Sequence, residues 1–392
     1  MHHHFTEEQL MIKELAHKIA VEKIKPVRAE YDREGKFPWD IVEELARADL
    51  FRVFIPAEYD GMVEEGMGIT NMCIVTEELS KVCGGIALAF AGTGLGTFPI
   101  LMFGNEEQKK KYLPQIASGE KLAAFALTEP NAGSDAGAIQ TTARKEGDYY
   151  VLNGTKIFIT NGGEADIYTV VALTNPEKGA RGASMFIVEK GTPGFEFGKK
   201  EDKMGIRASA TRELIFNECK VPKENLLGRE GAGFLMTMKV FDISRPGVAA
   251  QALGIAEGAF EEALKYVHQR HQFGKSIIAN QGVQWMLADM ATSIETARAL
   301  IYQVADMIDR GETKDIGYYS AMAKMYASDV AMRVTTDAVQ LFGGYGYMRE
   351  YPVEKMMRDA KITQIYEGTN QIQRNIIGTH LVKLAAKLAR EK

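Results

Sequence analysis

The spacing of apolar residues changes twice along the chain, and these two changes limit the available folds more than any single motif. Beyond Gly231, four long stretches carry helical periodicity: about Phe234–Arg270, Gln281–Arg310, Tyr318–Leu341 and Thr369–Ala389. Helices of that length bury their apolar stripes by packing on one another, which predicts a four-helix bundle. Pro246 removes an N–H inside the first of them and predicts a kink there. From Lys121 onward the apolar runs are short: Ala123–Leu127, Tyr149–Leu152, Lys156–Ile159, Ile167–Leu173, Ala183–Val188 and Glu213–Phe216. Gly and Asn turn signals separate them, and strands so spaced predict a small antiparallel sandwich or barrel. The first 120 residues are helical in pattern. Thr6-Glu7-Glu8-Gln9 is a capping box, followed by Leu10, Ile12, Leu15, Ile19 and Ile24 at helical spacing. Pro38 opens a second helix through Leu45, and Asn105-Glu106-Glu107-Gln108 opens another. The expected fold class is α+β multidomain. It comprises an N-terminal α-helical domain (5–120), a middle β-sandwich/barrel domain (121–228) and a C-terminal four-helix bundle (229–392).

Composition narrows the function classes. A net charge of −5 and a pI near 5.9 argue against a dedicated nucleic-acid binder. Cys73, Cys83 and Cys219 have no CxxC or Cys/His ligand spacing, so neither a zinc site nor a disulfide framework is expected. No metal is expected elsewhere. With no signal peptide at its start, the chain is expected to be cytoplasmic, and His2 to His4 read as a tag remnant. Asn153-Gly154-Thr155 fits a glycosylation sequon but in that setting reads as a turn. The segment Gly84–Gly104 is uncharged and nearly long enough to cross a bilayer. Its six glycines and Pro99 make it a poor membrane helix, so it is expected to be a helical element and turn buried in a large protein. Ala91, Gly92, Gly94 and Gly96 are small enough to wall a cavity there. No Rossmann unit or Walker loop is present: Gly92-Thr93-Gly94 and Gly343-Gly344-Tyr345-Gly346 follow no predicted strand.

The most chemically informative stretch is Ile365-Tyr366-Glu367-Gly368-Thr369. A lone carboxylate stands between an aromatic residue and a glycine just ahead of a helix. Read locally, it is equally a helix-end charge that favours the dipole and a general base.

Several separated motifs, taken in order, resemble the acyl-CoA dehydrogenase family over nearly the whole chain. Phe125-Ala126-Leu127-Thr128-Glu129-Pro130-Asn131-Ala132-Gly133-Ser134-Asp135 resembles its flavin signature, and Asn153-Gly154-Thr155-Lys156-Ile157-Phe158-Ile159-Thr160-Asn161-Gly162 its second signature. Arg270-His271-Gln272-Phe273-Gly274, Gln340-Leu341-Phe342-Gly343-Gly344 and Tyr366-Glu367-Gly368-Thr369 follow. Among members, the chain looks most similar to the short-chain or butyryl type.

The resemblance implies FAD as cofactor, an acyl-CoA thioester as substrate, α,β-dehydrogenation to the enoyl-CoA, and an electron-transferring flavoprotein as acceptor. It makes Glu367 the base that takes the α-proton while the β-hydrogen leaves as hydride. Desolvation by the bound acyl chain would tune such a carboxylate towards neutrality. The family holds the thioester oxygen with the base's backbone N–H and a flavin ribityl hydroxyl. Gly368 lets the thioester approach the backbone. For FAD, the resemblance points to Phe125, Leu127, Thr128, Gly133, Ser134, Phe158, Ile159, Thr160, Thr369 and Gln371. Arg270 and Phe273 are implied to reach it across a subunit interface, Gln340 and Gly344 to lie on a loop that cradles its pyrophosphate or adenosine, and Gln272, Gln281 and Gly343 to bind it as well, in a homotetramer. For substrate it points to Ser134, Asp242, Ser244, Arg245 and Gly368, with Arg245 placed to tune Glu367.

Departures and distinctions matter too. Phe158 stands where many members carry Trp, which puts the packing on the flavin in doubt; the plain alternative is a strand core residue. Members that place the base on the other helix carry it at the position of Ser244, so the late glutamate is assigned. Gly84–Phe98 contains no arginine to hold a distal carboxylate, which disfavours a dicarboxyl substrate. A linear short, branched or alicyclic acyl group remains open. Two rivals are an oxygen-using flavoenzyme of the same superfamily and a non-enzymatic DNA-associated relative.

Overall fold

In the computed structural model, residues 5–390 are described, so the reading of His2 to His4 lies outside the described residues. The N-terminal part contains α1 (Glu7–Ile19), α2 (Arg28–Glu34), α3 (Trp39–Arg47), α4 (Ile69–Val82), α5 (Gly84–Phe103) and α6 (Glu106–Ala117). The capping boxes at Thr6 and Asn105 both form. In α1 the buried row is Ile12, Ala16 and Ile19, while Leu10 and Leu15 stand on the outer face. A π-helical turn, Ala20–Ile24, then rotates Ile24 inward.

The uncharged segment forms one unbroken helix, α5, rather than a helix and turn, and it runs through Pro99. It is the single described helix long and apolar enough to cross a membrane, and 72% of its apolar window is buried. It packs on α4 and α6 and on the middle domain. Its glycines divide by task. Ala91 and Gly92 wall a cavity. Gly94 packs against Met72, and at Gly96 a Cβ would lie 2.4 Å from the backbone nitrogen of Ala124. Only a residue without a side chain lets α5 lie so close to the next strand. Gly96→Val is therefore expected to lose about 1–3 kcal/mol or more of stability, since the obstructing atoms are backbone and cannot rotate away. Denaturant unfolding measures this.

The middle part is a sheet of eight strands: β1 (Ala123–Ala126), β2 (Thr142–Glu146), β3 (Tyr149–Thr160), β4 (Ile167–Leu173), β5 (Ala183–Glu189), β6 (Phe195–Lys200), β7 (Thr211–Pro222) and β8 (Leu226–Leu227). Their order is β6-β7-β3-β2-β4-β5-β8, and β1 pairs in parallel with β4 off this path. The sheet is thus mixed rather than wholly antiparallel. It curls over itself so that β1 meets β3 and β5 meets β7. The two predicted runs at 149–152 and 156–159 are a single strand, carried past Gly154 by register shifts against β7. β2 and β6 escaped the apolar pattern because much of each is polar and exposed.

The C-terminal part contains α7 (Gly233–Gln269), α8 (Gln281–Asp309), α9 (Ile316–Phe342), α10 (Val353–Thr363) and α11 (Asn370–Leu388). Two short strands, β9 (His271–Gln272) and β10 (Lys275–Ser276), turn the chain between α7 and α8. α7 continues through Pro246 as one helix. The carbonyl that proline leaves without a partner, that of Asp242, accepts a hydrogen bond from the Ser320 hydroxyl of α9 at 2.6 Å. α10 was not foreseen; it is short, and it delivers the chain to residues 365–369. Because α4 and α5 both pack on α7, that loop is brought against the N-terminal helices and the strand ends.

Candidate active site

The loop from Ile365 to Thr369 joins α10 to α11, and Thr369 caps α11 by accepting the Ile372 N–H at 3.3 Å. Glu367 has φ 51° and Gly368 φ 90°. A left-handed conformation is ordinary for glycine but costs a glutamate about 1–2 kcal/mol. Several contacts hold it. Gln373 Nε2 donates to the carbonyls of Glu367 (3.1 Å) and Gly368 (2.9 Å). Arg245 Nε donates to the Glu367 carbonyl at 3.4 Å, and Lys324 Nζ to the Gly368 carbonyl at 2.8 Å. Both carbonyls thus turn into the protein. The Glu367 backbone N–H donates to no protein group among the described residues.

The Glu367 carboxylate accepts a 2.6 Å hydrogen bond from the Ser244 hydroxyl. Burial pushes this carboxyl above its ordinary range, against the opposing pull of Ser244, Arg245 and Lys324. A carboxylate made more basic by burial is suited to take a proton from a weak carbon acid.

Two cavities meet at this group. One, of about 120 Å³, is walled mainly by apolar side chains, among them Leu88, Leu95, Phe241 and Val248. Its polar residues include Gln251 and Tyr366: the Tyr366 hydroxyl donates to Gln251, whose amide donates to the Gly84 carbonyl at 3.0 Å. The other, of about 650 Å³, is bordered by Gly133, Ser134, Met204, Arg358, Lys361, Gly368 and Thr369. Thr128, Phe158, Thr160, Tyr366 and Glu367 line both.

Of the residues singled out from the sequence, Phe125, Leu127, Ile159 and Ser244 line the small cavity. Gly133, Ser134, Gly368 and Thr369 line the large one. Phe158 is not a core residue: it is 60% exposed at φ 58°, where β3 shifts register. Asp242 and Arg245 lie behind the cavity wall, 3.7 Å apart, with Arg245 buried. Arg270, Gln272, Gln340, Gly343 and Gly344 are not brought to Glu367 within the chain. They line a separate pocket of about 600 Å³ with Tyr266 and Tyr345. Phe273 is 96% exposed, and Gln281 and Gln371 are exposed and line none of these cavities.

Three residues that shape the site were missed: Gln251, Lys324 and Gln373. For Lys324 a signal existed. It falls on the row Ile316, Ser320, Lys324, Ser328 of α9, all buried, where a charge is out of place. A further buried cation supports the strand end. Lys156 Nζ donates to the Leu127 carbonyl at 2.9 Å and to Glu129 at 2.7 Å. Glu129 also accepts the backbone N–H groups of Gln140 and Thr141. These bonds fix the backbone on either side of Thr128.

The donor set fits a flavin. Thr128 and Thr160 offer hydroxyls and Phe158 an exposed ring, while Gly133 leaves open backbone with nothing within 4 Å of where a Cβ would stand. Among the described residues no three His, Cys, Asp or Glu side chains group as metal ligands.

Comparison with known proteins places the chain in a family. The chain matches the acyl-CoA dehydrogenase N-terminal domain over residues 6–120, the middle domain over 124–219 and the C-terminal domain over 231–382. It is 50% identical to a short-chain specific acyl-CoA dehydrogenase of Clostridium acetobutylicum, covering 96% of this chain and 98% of that protein. The structure of butyryl-CoA dehydrogenase from Megasphaera elsdenii superposes with a TM-score of 0.95 at 48% identity, covering 97% of this chain and all (100%) of that one. A structure from a study of the electron transferring flavoprotein of Acidaminococcus fermentans and flavin-based electron bifurcation gives a TM-score of 0.94 at 51% identity, covering 97% and 99%.

Proposed function

The chain belongs to the acyl-CoA dehydrogenase family, whose members are FAD flavoproteins, and on that footing we propose that it oxidises a short-chain acyl-CoA to the 2-enoyl-CoA with Glu367 as base. One observation carries the reading: the Glu367 carboxylate stands where a small, mainly apolar cavity meets a larger one. The first suits an acyl chain and the second the pantetheine arm. Bound there, a thioester would place its α-carbon beside the carboxylate. The free N–H of Glu367 would donate to the thioester oxygen, and stabilisation of developing oxyanion charge by one such donor is worth roughly 3–4 kcal/mol. Ser244 orients the carboxylate without competing as a base. Thr128, Phe158 and Thr160 would hold the isoalloxazine, with Gly133 and Ser134 bordering the same cavity; FAD, when bound, would supply the hydride acceptor.

Arg270, Gln272, Gln340, Gly343 and Gly344 would contact the diphosphate end of a neighbouring subunit's cofactor. Their separate pocket and the bare Phe273 ring support that reading, and with it a homotetramer. An electron-transferring flavoprotein is the proposed acceptor and the cytoplasm the proposed location.

The small cavity supports a short acyl group. The Tyr366–Gln251–Gly84 chain fixes one part of its wall, and no Lys or Arg lines it. With an artificial acceptor, kcat/KM is expected to be highest for butyryl-CoA, about tenfold or more lower for hexanoyl-CoA, where extra methylenes overpack the wall, and negligible for glutaryl-CoA, whose carboxylate would be buried unpaired. A panel including isobutyryl-, 2-methylbutyryl- and cyclohexanecarbonyl-CoA checks this; preference for octanoyl- or glutaryl-CoA would overturn it.

A further inference from the structure

Lys324 is fully buried on α9, yet among the described residues its hydrogen-bond acceptors are neutral oxygens and no carboxylate stands within ion-pair distance of it. Taking a lysine ammonium out of water is costly unless strong acceptors replace the lost hydration. Its acceptors are the Gly368 carbonyl at 2.8 Å and Asn370 Oδ1 at 2.9 Å, one on each side of the turn that follows Glu367. Asn370 is itself fixed, donating to Asp329 at 2.7 Å and to Ser328 at 2.9 Å, while its backbone N–H closes the loop on the Gln364 carbonyl at 3.0 Å. The lysine therefore anchors the Gly368–Thr369 peptide, one residue beyond the strained Glu367.

We propose that Lys324 is a positioning residue for the base: by holding the Gly368 carbonyl inward it helps keep the Glu367 backbone N–H turned to the cavity, and its charge favours the ionised form of the carboxylate. This rests on the reading of Glu367 as the base. The charged groups around the ammonium are Glu367 on the loop, Arg245 and its partner Asp242 on α7, Asp329 on α9 itself, and Arg374 of α11, which pairs with Asp329 at 3.0 Å. Burial pulls the Lys324 ammonium down to about 7, Glu367 and Asp329 oppose that, and Arg245 adds to it. In the other direction, Lys324 holds the Glu367 carboxyl lower than burial alone would leave it. A base works only when deprotonated. Loss of this cation must therefore move the acid limb of the reaction to higher pH.

Two variants separate anchoring from charge. Lys324→Met removes both. Lys324→Gln removes the charge and keeps an N–H donor for Gly368, and a neutral amide is easier to bury. FAD content and thermal unfolding of each holoenzyme are measured first, followed by anaerobic bleaching of the flavin by butyryl-CoA from pH 5.5 to 9 and the affinity of a redox-inert thioether analogue. Both variants are expected to shift the acid limb up by about one unit. The plateau rate should fall about tenfold or more in Lys324→Met alone. Analogue affinity should stay within about threefold of wild type in Lys324→Gln, since the acyl cavity is untouched. If Lys324→Met does not fold, Lys324→Gln decides alone. An unmoved limb in Lys324→Gln overturns the proposal, as does an equal, pH-independent loss in both. Glu367→Gln measured alongside separates the two ideas: if that variant bleaches like wild type, the base assignment itself falls.

Discussion

Glu367→Gln is expected to purify as yellow, FAD-bound protein that no acyl-CoA bleaches. The amide is nearly isosteric and can still accept the Ser244 hydroxyl, and the loop is held by backbone carbonyls rather than by this side chain. Fold, cofactor content and acyl-CoA binding should therefore survive. What disappears is the basic lone pair. General base catalysis is worth about 10²–10⁴ in rate, and with no other carboxylate lining the small cavity the loss should reach the upper end. Anaerobic stopped-flow with butyryl-CoA reads this directly. Bleaching within tenfold of wild type would remove Glu367 from the mechanism.

The second large effect concerns stability. Lys156→Met leaves Glu129 buried, with its charge facing only the N–H groups of Gln140 and Thr141. Breaking one side of a buried pair costs about 3–5 kcal/mol, because the remaining charge stays desolvated. Lys156 also holds the Leu127 carbonyl, so the strand end that carries Thr128 should loosen and FAD retention should fall with the midpoint of unfolding. The double variant Lys156→Met with Glu129→Gln should recover much of the stability, since no unpaired charge is left. It should not recover FAD retention, because the anchor at Leu127 is still missing. Denaturant unfolding and released flavin measure the two separately. Equal recovery of both would mean that the lysine acts on the flavin site through charge alone.

Glu367 illustrates how far the sequence carries. Locally it is a helix-end charge or a base in equal measure; the ordered motifs across the chain favour the base through the family resemblance, which also makes Ser244 the rival position and finds no carboxylate there. The structure then placed Ser244 against the carboxylate, a contact between residues 123 positions apart that no local pattern contains. Phe158 shows the opposite case. An alternating run makes it look like half of a strand, and only the register shift of β3, with its positive φ, turns the ring outwards.

What the sequence determined by itself were the things set by short-range physics. These include the long helices of the C-terminal part, the capping boxes at Thr6 and Asn105, and the change to strands near residue 121. Periodicity and capping act within a few turns of chain, so they are written in consecutive residues. What only the tertiary structure decided were the things set by packing between distant segments. Gly96 is a close-contact glycine because Ala124 lies against it, and Pro246 does not end α7 because Ser320 satisfies the carbonyl it orphans. Lys324 becomes part of the site because α9 passes behind residues 367–370. A buried charge or an orphaned carbonyl has a meaning only once its partner is known, and the partner is chosen by the fold.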